Sequence, residues 1–157
     1  MKTQITITEI THDDLVNLFS TALYGSSYLD AEYPNICKFE HDDCFEDRLA
    51  KTLLNGNSID IRDTYAEGCV YGNLPHELEK DDNVEEGYEV VRYKVTLEDI
   101  KRGLENAANA TFKINFDGEE RFAKESFNIF ATESLEFDLT TADCLMQIIV
   151  FNELIYG

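Results

Sequence analysis

Basic residues are scarce in this sequence: 13 Lys and Arg stand against 32 Asp and Glu, a formal charge of -19 at pH 7. So negative a surface repels a phosphate backbone, which argues against direct nucleic-acid binding and favours basic partners. Long apolar runs are also missing. The most apolar stretch, residues 140–157, supplies roughly a dozen helical residues, short of the ~20 that cross a bilayer, and Gln147, Asn152 and Glu153 interrupt it. No membrane association is expected. Residues 1–8 lack a basic region followed by an apolar run, so no secretory signal is expected and Asn109-Ala110-Thr111 reads as a chance glycosylation sequon. The four cysteines, Cys37, Cys44, Cys69 and Cys144, form no Cys-x-x-Cys pair, which fits reduced thiols in a cytoplasm. No Gly-x-Gly-x-x-Gly, phosphate-binding loop or Gly-x-Ser-x-Gly is present, so nucleotide-dependent chemistry and the serine hydrolases lack support. Internal repeats and low-complexity tracts are absent as well.

What is present describes one α+β domain over residues 1–157, a length sufficient for a single core. Gln4 to Thr8 alternates as a short strand. Thr11 with Asp14 forms a start signal for a helix whose Leu15, Leu18, Phe19, Ala22 and Leu23 share one face, with Gly25 as its stop. Residues 26–42 lack a clear period and read as a loop carrying Tyr28, Tyr33 and Pro34. Asp43 with Glu46 predicts a second helix, with Phe45, Leu49 and Leu53 along one face and Asn55-Gly56 at its end. Ile59 and Ile61 then alternate as a strand, and residues 69–71 suggest another. Residues 74–87 are the most polar stretch and read as a mobile, solvated loop. Val91, Tyr93 and Val95 alternate with Arg92 and Lys94 as a half-buried strand.

Thr96 and Asp99 start a third helix, with Gly103 as a weak point worth ~1 kcal/mol against alanine. Phe112, Ile114 and Phe116 alternate up to Asp117-Gly118, a favoured hairpin turn that predicts a returning strand. Beyond it Phe127, Ile129 and Ala131 fit a strand better than a helix, and Leu135, Phe137 and Leu139 alternate into the closing segment. Thr140 with Asp143 opens a last helix, apolar on most sides through Leu145, Met146, Ile148, Ile149, Val150 and Phe151. The expected fold is a small, mostly antiparallel sheet packed with about four helices, the apolar C-terminal helix in the core.

Each helix starts with Thr or Asp followed three residues later by an acid, so part of the negative charge is helix capping. Capping leaves two groups unexplained: Glu77, Glu79, Asp81, Asp82, Glu85, Glu86 and Glu89 in one stretch, and Glu40, Asp42 and Asp43 in another. These ten acids are the candidate partner-binding surface. A folded protein that lines carboxylates along one face can compete with nucleic acid for a basic groove. The competing reading is that the charge serves solubility alone.

Metal and catalytic constellations are thin. Cys37, His41 and Cys44, with His12 or His76 brought in from elsewhere, make one knuckle where zinc sites usually carry paired, tighter spacings. Asp81, Asn83 and Glu85 begin a calcium-loop spacing, but Glu86 stands in place of its glycine and Arg92 in place of its bidentate acid. Neither a resident metal nor a cofactor is expected. A cysteine paired with one of the three histidines is the remaining enzymatic alternative.

Three segments carry a family resemblance: Ile10 to Gly25, Val95 to Ile100 with Gly103-Leu104, and Ala142-Asp143 with Gln147, Phe151 and Tyr156-Gly157. Together they resemble an uncharacterised family of small acidic proteins encoded by bacteriophages and conjugative elements of low-GC bacteria. The family usually has paired glycines and a tryptophan after the first helix, where Gly25-Ser26-Ser27-Tyr28 stands here. The resemblance brings no functional residues with it. It implies a mobile-element setting, in which small acidic proteins are often inhibitors of host defence such as restriction or CRISPR nucleases. The resulting expectation is a non-catalytic cytoplasmic inhibitor that binds a basic, nucleic-acid-binding host protein. An accessory interaction module and a small Cys/His enzyme are its alternatives.

Overall fold

The computed structural model describes residues 6–7, 9–24, 26–80, 89–109, 112–116, 119–122 and 139–156. Helix α1 (His12–Tyr24) follows the box the sequence predicts: Asp14 N–H donates to Thr11 Oγ1 at 3.1 Å and Thr11 N–H to Asp14 Oδ2 at 3.0 Å. Strand β1 (Leu29–Glu32) lies inside the stretch expected to be a loop, a correction. The order continues through α2 (Phe45–Leu54), β2 (Ile59–Asp63), β3 (His76–Lys80), β4 (Glu89–Val95) and α3 (Leu97–Asn109). A hairpin of β5 (Lys113–Phe116) and β6 (Glu119–Phe122) and the closing helix α4 (Leu139–Phe151) complete it. The main sheet is antiparallel in the order β1-β2-β4-β3, and β5 pairs with β6 alone among the described residues. The α+β fold and the apolar C-terminal helix are therefore as expected.

Several boundaries move. Helix α2 is capped one residue later than the Asp43/Glu46 reading: the amide and the thiol of Cys44 both donate to Asp47 Oδ2 at 3.1 Å. Residues 76–80, expected as mobile loop, form β3, because five residues need only pair with β4 to become a strand. Residues 69–71 form no strand. Thr6 and Ile7 form none either, and the rest of the 4–8 expectation lies outside the described residues, as do 123–138. Helix α4 already includes Leu139, so Thr140 sits in its first turn.

The core forms between one face of the sheet and the helices. Leu15, Leu18 and Phe19 of α1, Leu49 and Leu53 of α2, Ile59 and Ile61 of β2, Tyr93 of β4 and Ile100 of α3 are fully buried with Leu145 and Phe151 of α4. Helix α4 packs against α1 and α3 together, which is why it tolerates apolar residues on most sides. Its contact with α3 depends on Gly103. A Cβ built there would lie 2.5 Å from Ile149 Cγ1 and 2.7 Å from Ile149 Cα, so the glycine read as a weak point is where α3 comes close to the backbone of α4.

The end of α4 is fastened by polar groups. At Asn152 the backbone turns to φ 54°, and the chain folds back along the helix. Gln147, which the sequence suggests as an interruption, is fully buried and holds that return: its Oε1 accepts from the Ile155 and Tyr156 amides at 2.8 Å, and its Nε2 donates to Tyr156 O and Asp143 Oδ2. Tyr156 then donates to buried Asp63 at the end of β2 (2.8 Å), and Tyr28 to Asp143 (2.6 Å). The rings of Tyr28 and Tyr156 lie 4.5 Å apart. Burial pushes the Asp63 carboxyl above the usual carboxylate range, against the hydrogen bonds from Tyr156 and the Tyr65 amide. Burial, with the adjoining carboxylates, likewise pushes both phenols above the ordinary tyrosine range.

Candidate functional site: an acidic sheet face and its edge strand

Strand alternation places Asp30 and Glu32 of β1, Asp60 and Arg62 of β2, Arg92 and Lys94 of β4, and Glu77 and Glu79 of β3 on the face turned away from the core. The register sets Arg62 directly opposite Arg92, a like-charge pair that would be unfavourable alone. Carboxylates surround it. Arg62 Nη1 contacts Asp30 Oδ2 at 2.9 Å and its Nε contacts Glu79 Oε1 at 2.7 Å. Arg92 Nη1 contacts Glu32 Oε2 at 2.6 Å and Asp60 Oδ2 at 3.0 Å, and its Nε contacts Glu79 Oε2 at 2.9 Å. Glu79 thus bridges both guanidinium groups, and the hydrogen bonds from Arg92 and then Arg62 hold its carboxyl below the usual range. Burial acts the other way on Asp30, raising its carboxyl despite Arg62.

Glu77 behaves differently from Glu79. It stands directly opposite Arg92 in the register, yet Arg92 is taken up by Glu32, Asp60 and Glu79, and Glu77 is exposed and forms no ion pair among the described residues. Glu89 begins β4 opposite Lys80. Asp81, Asp82, Glu85 and Glu86 lie outside the described residues.

The second acidic group is a turn before α2. The Asp43 amide donates to Glu40 O at 3.1 Å, the Glu40 amide to Asp43 Oδ2 at 2.8 Å, and Lys51 Nζ pairs with the same oxygen at 2.6 Å. The Lys51 hydrogen bond, helped by the Glu40 amide, keeps the Asp43 carboxyl below its ordinary range. Asp43 is therefore committed locally, whereas Glu40 and Asp42 are exposed and form no ion pair among the described residues. No hydrogen bond or ion pair among the described residues joins this turn to the sheet face.

Of the cysteine and histidine candidates, Cys44 and His12 meet at one carboxylate, that of Asp47, while Cys37 and His76 bond elsewhere. No group of three or more His, Cys, Asp or Glu among the described residues is placed to hold a metal ion, the Cys37, His41 and Cys44 knuckle included. Cys37 Sγ accepts from Asn57, Cys44 donates to Asp47, His12 Nε2 lies 3.2 Å from Asp47 Oδ1, and His76 Nδ1 lies 3.1 Å from Leu74 O. None of the four cysteines is joined in a disulfide. A cavity of about 440 Å³ opens between α3, α4 and residues 73–75, but two of its polar pairs are satisfied internally, Asp99 with Arg102 and Asn106 with Asn152. No helix among the described residues is long and apolar enough to cross a membrane.

Asp30, Glu32, Asp60, Arg62 and Arg92 join the site without having been singled out from sequence. Their signal was the alternation of Ile59-Asp60-Ile61-Arg62 and Val91-Arg92-Tyr93, whose polar positions carry opposite charges. Comparison with protein-family models, with curated proteins and with solved structures returns no match.

Proposed function

We propose that the protein is a phage or mobile-element inhibitor, of the anti-CRISPR or anti-restriction type, acting in the host cytoplasm. It binds a basic, nucleic-acid-binding host protein through its acidic surface and occupies the place of nucleic acid. The observation that carries this reading is the division of charge. Lys51, Arg62, Arg92, Lys94 and Arg102 are held in ion pairs within the protein, while Glu77, Glu40 and Asp42, like Lys38 and Lys80, are exposed with no ion pair among the described residues. The field left to a partner is strongly negative on a chain of net charge -19. The resemblance to small acidic proteins of mobile elements supports the setting.

Glu79 and Asp43 favour the competing reading for themselves, since their carboxylates serve the fold. An accessory module whose acidity is solubilising would bind through other surfaces. Capture from a bacterial lysate by the immobilised protein separates the two. The proposal expects basic nucleic-acid-binding proteins that are released as salt rises and lost when Glu77, Asp81, Asp82, Glu85 and Glu86 are changed to amides. Capture that ignores both salt and these amides contradicts it.

A further inference from the structure

We infer that the outer edge of β3 takes up an extended, basic segment of the partner protein as a fifth strand of the sheet. The inference rests on the reading above that the partner is basic. It starts from the hydrogen-bond phase of the β3–β4 pair. Lys94 N–H donates to Pro75 O at 2.9 Å, and the register then runs His76 to Tyr93, Glu77 to Arg92 and Leu78 to Val91. Antiparallel pairing alternates, so the backbone groups of Glu77 and Glu79 turn toward β4 and those of His76, Leu78 and Lys80 turn outward. β3 is last in the sheet order, and no described strand pairs with its outer side. The edge is also open to solvent: Leu78 is 51% exposed, and His76 and Lys80 are exposed beside it. The opposite edge of the sheet is closed, because Leu29 and Ala31 of β1, whose backbone turns outward there, are buried.

Charge selects the occupant. Another copy of the chain is disfavoured: antiparallel pairing of two β3 edges centred on Leu78 sets Glu77 against Glu79, and slipping by two residues sets Glu77 or Glu79 against itself. An extended basic segment removes that repulsion. Its residue opposite Glu77 shares that face and meets an exposed carboxylate, the residue opposite Glu79 meets one already shared by Arg62 and Arg92, and the residue between them shares the face of Leu78 and meets an apolar side chain. The edge therefore reads a basic residue opposite Glu77 followed by an apolar one opposite Leu78, with affinity supplied by main-chain hydrogen bonds.

The test uses amide exchange and amide chemical shifts of the intact protein, titrated with a short peptide of alternating lysine and valine and with the same peptide N-methylated at alternate backbone positions. The expected result is binding of the first peptide only, with exchange of the Leu78 and Lys80 amides slowed at least ~10-fold at saturation. Equal, salt-sensitive binding of both peptides without that protection overturns the edge-strand inference while leaving the basic-partner reading in place. Failure of both peptides to bind even at low salt overturns the edge inference and counts against the basic-partner reading, which the lysate capture then decides separately.

Discussion

The Tyr156 hydroxyl donates to Asp63 Oδ2 at 2.8 Å, joining the segment after α4 to the last residue of β2. Asp63 is fully buried, so this bond and the one from the Tyr65 amide are what make a carboxylate tolerable there. Tyr156→Phe should cost about 1–3 kcal/mol, read as a lower urea midpoint at unchanged slope. The pH dependence has a definite sign. Because burial raises the Asp63 carboxyl, its contribution is full below the unfolded value of about 3.9 and declines as pH rises through the higher folded value. Losing the Tyr156 donor raises that carboxyl further, so the deficit of the variant should be small near pH 3 and grow toward neutrality.

Tyr28 and Tyr156 should resist ionisation. Both phenols are pushed above the ordinary value of about 10 by burial and by the carboxylates they donate to. Stability they contribute is present below that pH and lost as pH climbs above it. Phenolate absorbance is expected to show part of the tyrosines titrating gradually and a remainder appearing only with unfolding. A single smooth titration near pH 10 with folded structure retained would contradict this.

Gly103→Ala should destabilise by about 1–3 kcal/mol, although alanine is the better helix former by ~1 kcal/mol. The added methyl meets Ile149 at both its side chain and its Cα, so it cannot be cleared by a rotamer change alone. Thermal denaturation checks the sign, and a stabilised variant would show that α3 and α4 are not packed this closely.

Glu77 and Glu79, two residues apart, should separate structure from binding. Glu79→Gln removes the carboxylate shared by Arg62 and Arg92 and is expected to cost about 1 kcal/mol at neutral pH. Because Glu79 is held below its ordinary value of 4.5, that difference should be full above it, decline as pH falls below it and vanish only as pH passes through the lower folded value. Glu77→Gln should leave the urea midpoint within about 0.5 kcal/mol and weaken only partner binding.

Gln147→Leu should detach the chain end. Leucine fills a similar volume but leaves the Ile155 and Tyr156 amides and the Tyr156 carbonyl without their partner. A loss on the order of 3 kcal/mol is expected, with early loss of exchange protection at Ile155 and Tyr156.

The helices could be read from sequence because their apolar spacing and two of their caps, Thr11 with Asp14 and Thr96 with Asp99, are local signals. Strand β3 could not. His-Glu-Leu-Glu-Lys has one apolar residue, and its conformation comes from pairing with β4, which no local pattern announces. Strand β1 was hidden for a related reason, four residues set among turn formers and aromatics. In α2 the box moved by one because the Cys44 amide and thiol both donate to Asp47, with cysteine at the position usually held by Thr or Ser, while Asp43 offered a different acid pair. The site was half visible. Acidic residues could be counted, but which of them answer Arg62, Arg92 and Lys51 depends on register and on a turn. Gln147 shows the same limit in the core, where an apparent interruption is the group that holds the chain's return.

Competition with nucleic acid tests the central claim most directly. A basic nuclease captured by the protein is titrated with duplex DNA while the bound fraction of the protein is followed. The account predicts mutual exclusion, with the apparent dissociation constant rising linearly with free DNA and full binding recovered at saturating protein. A ternary complex in which DNA and this protein bind together at unchanged affinity would contradict it.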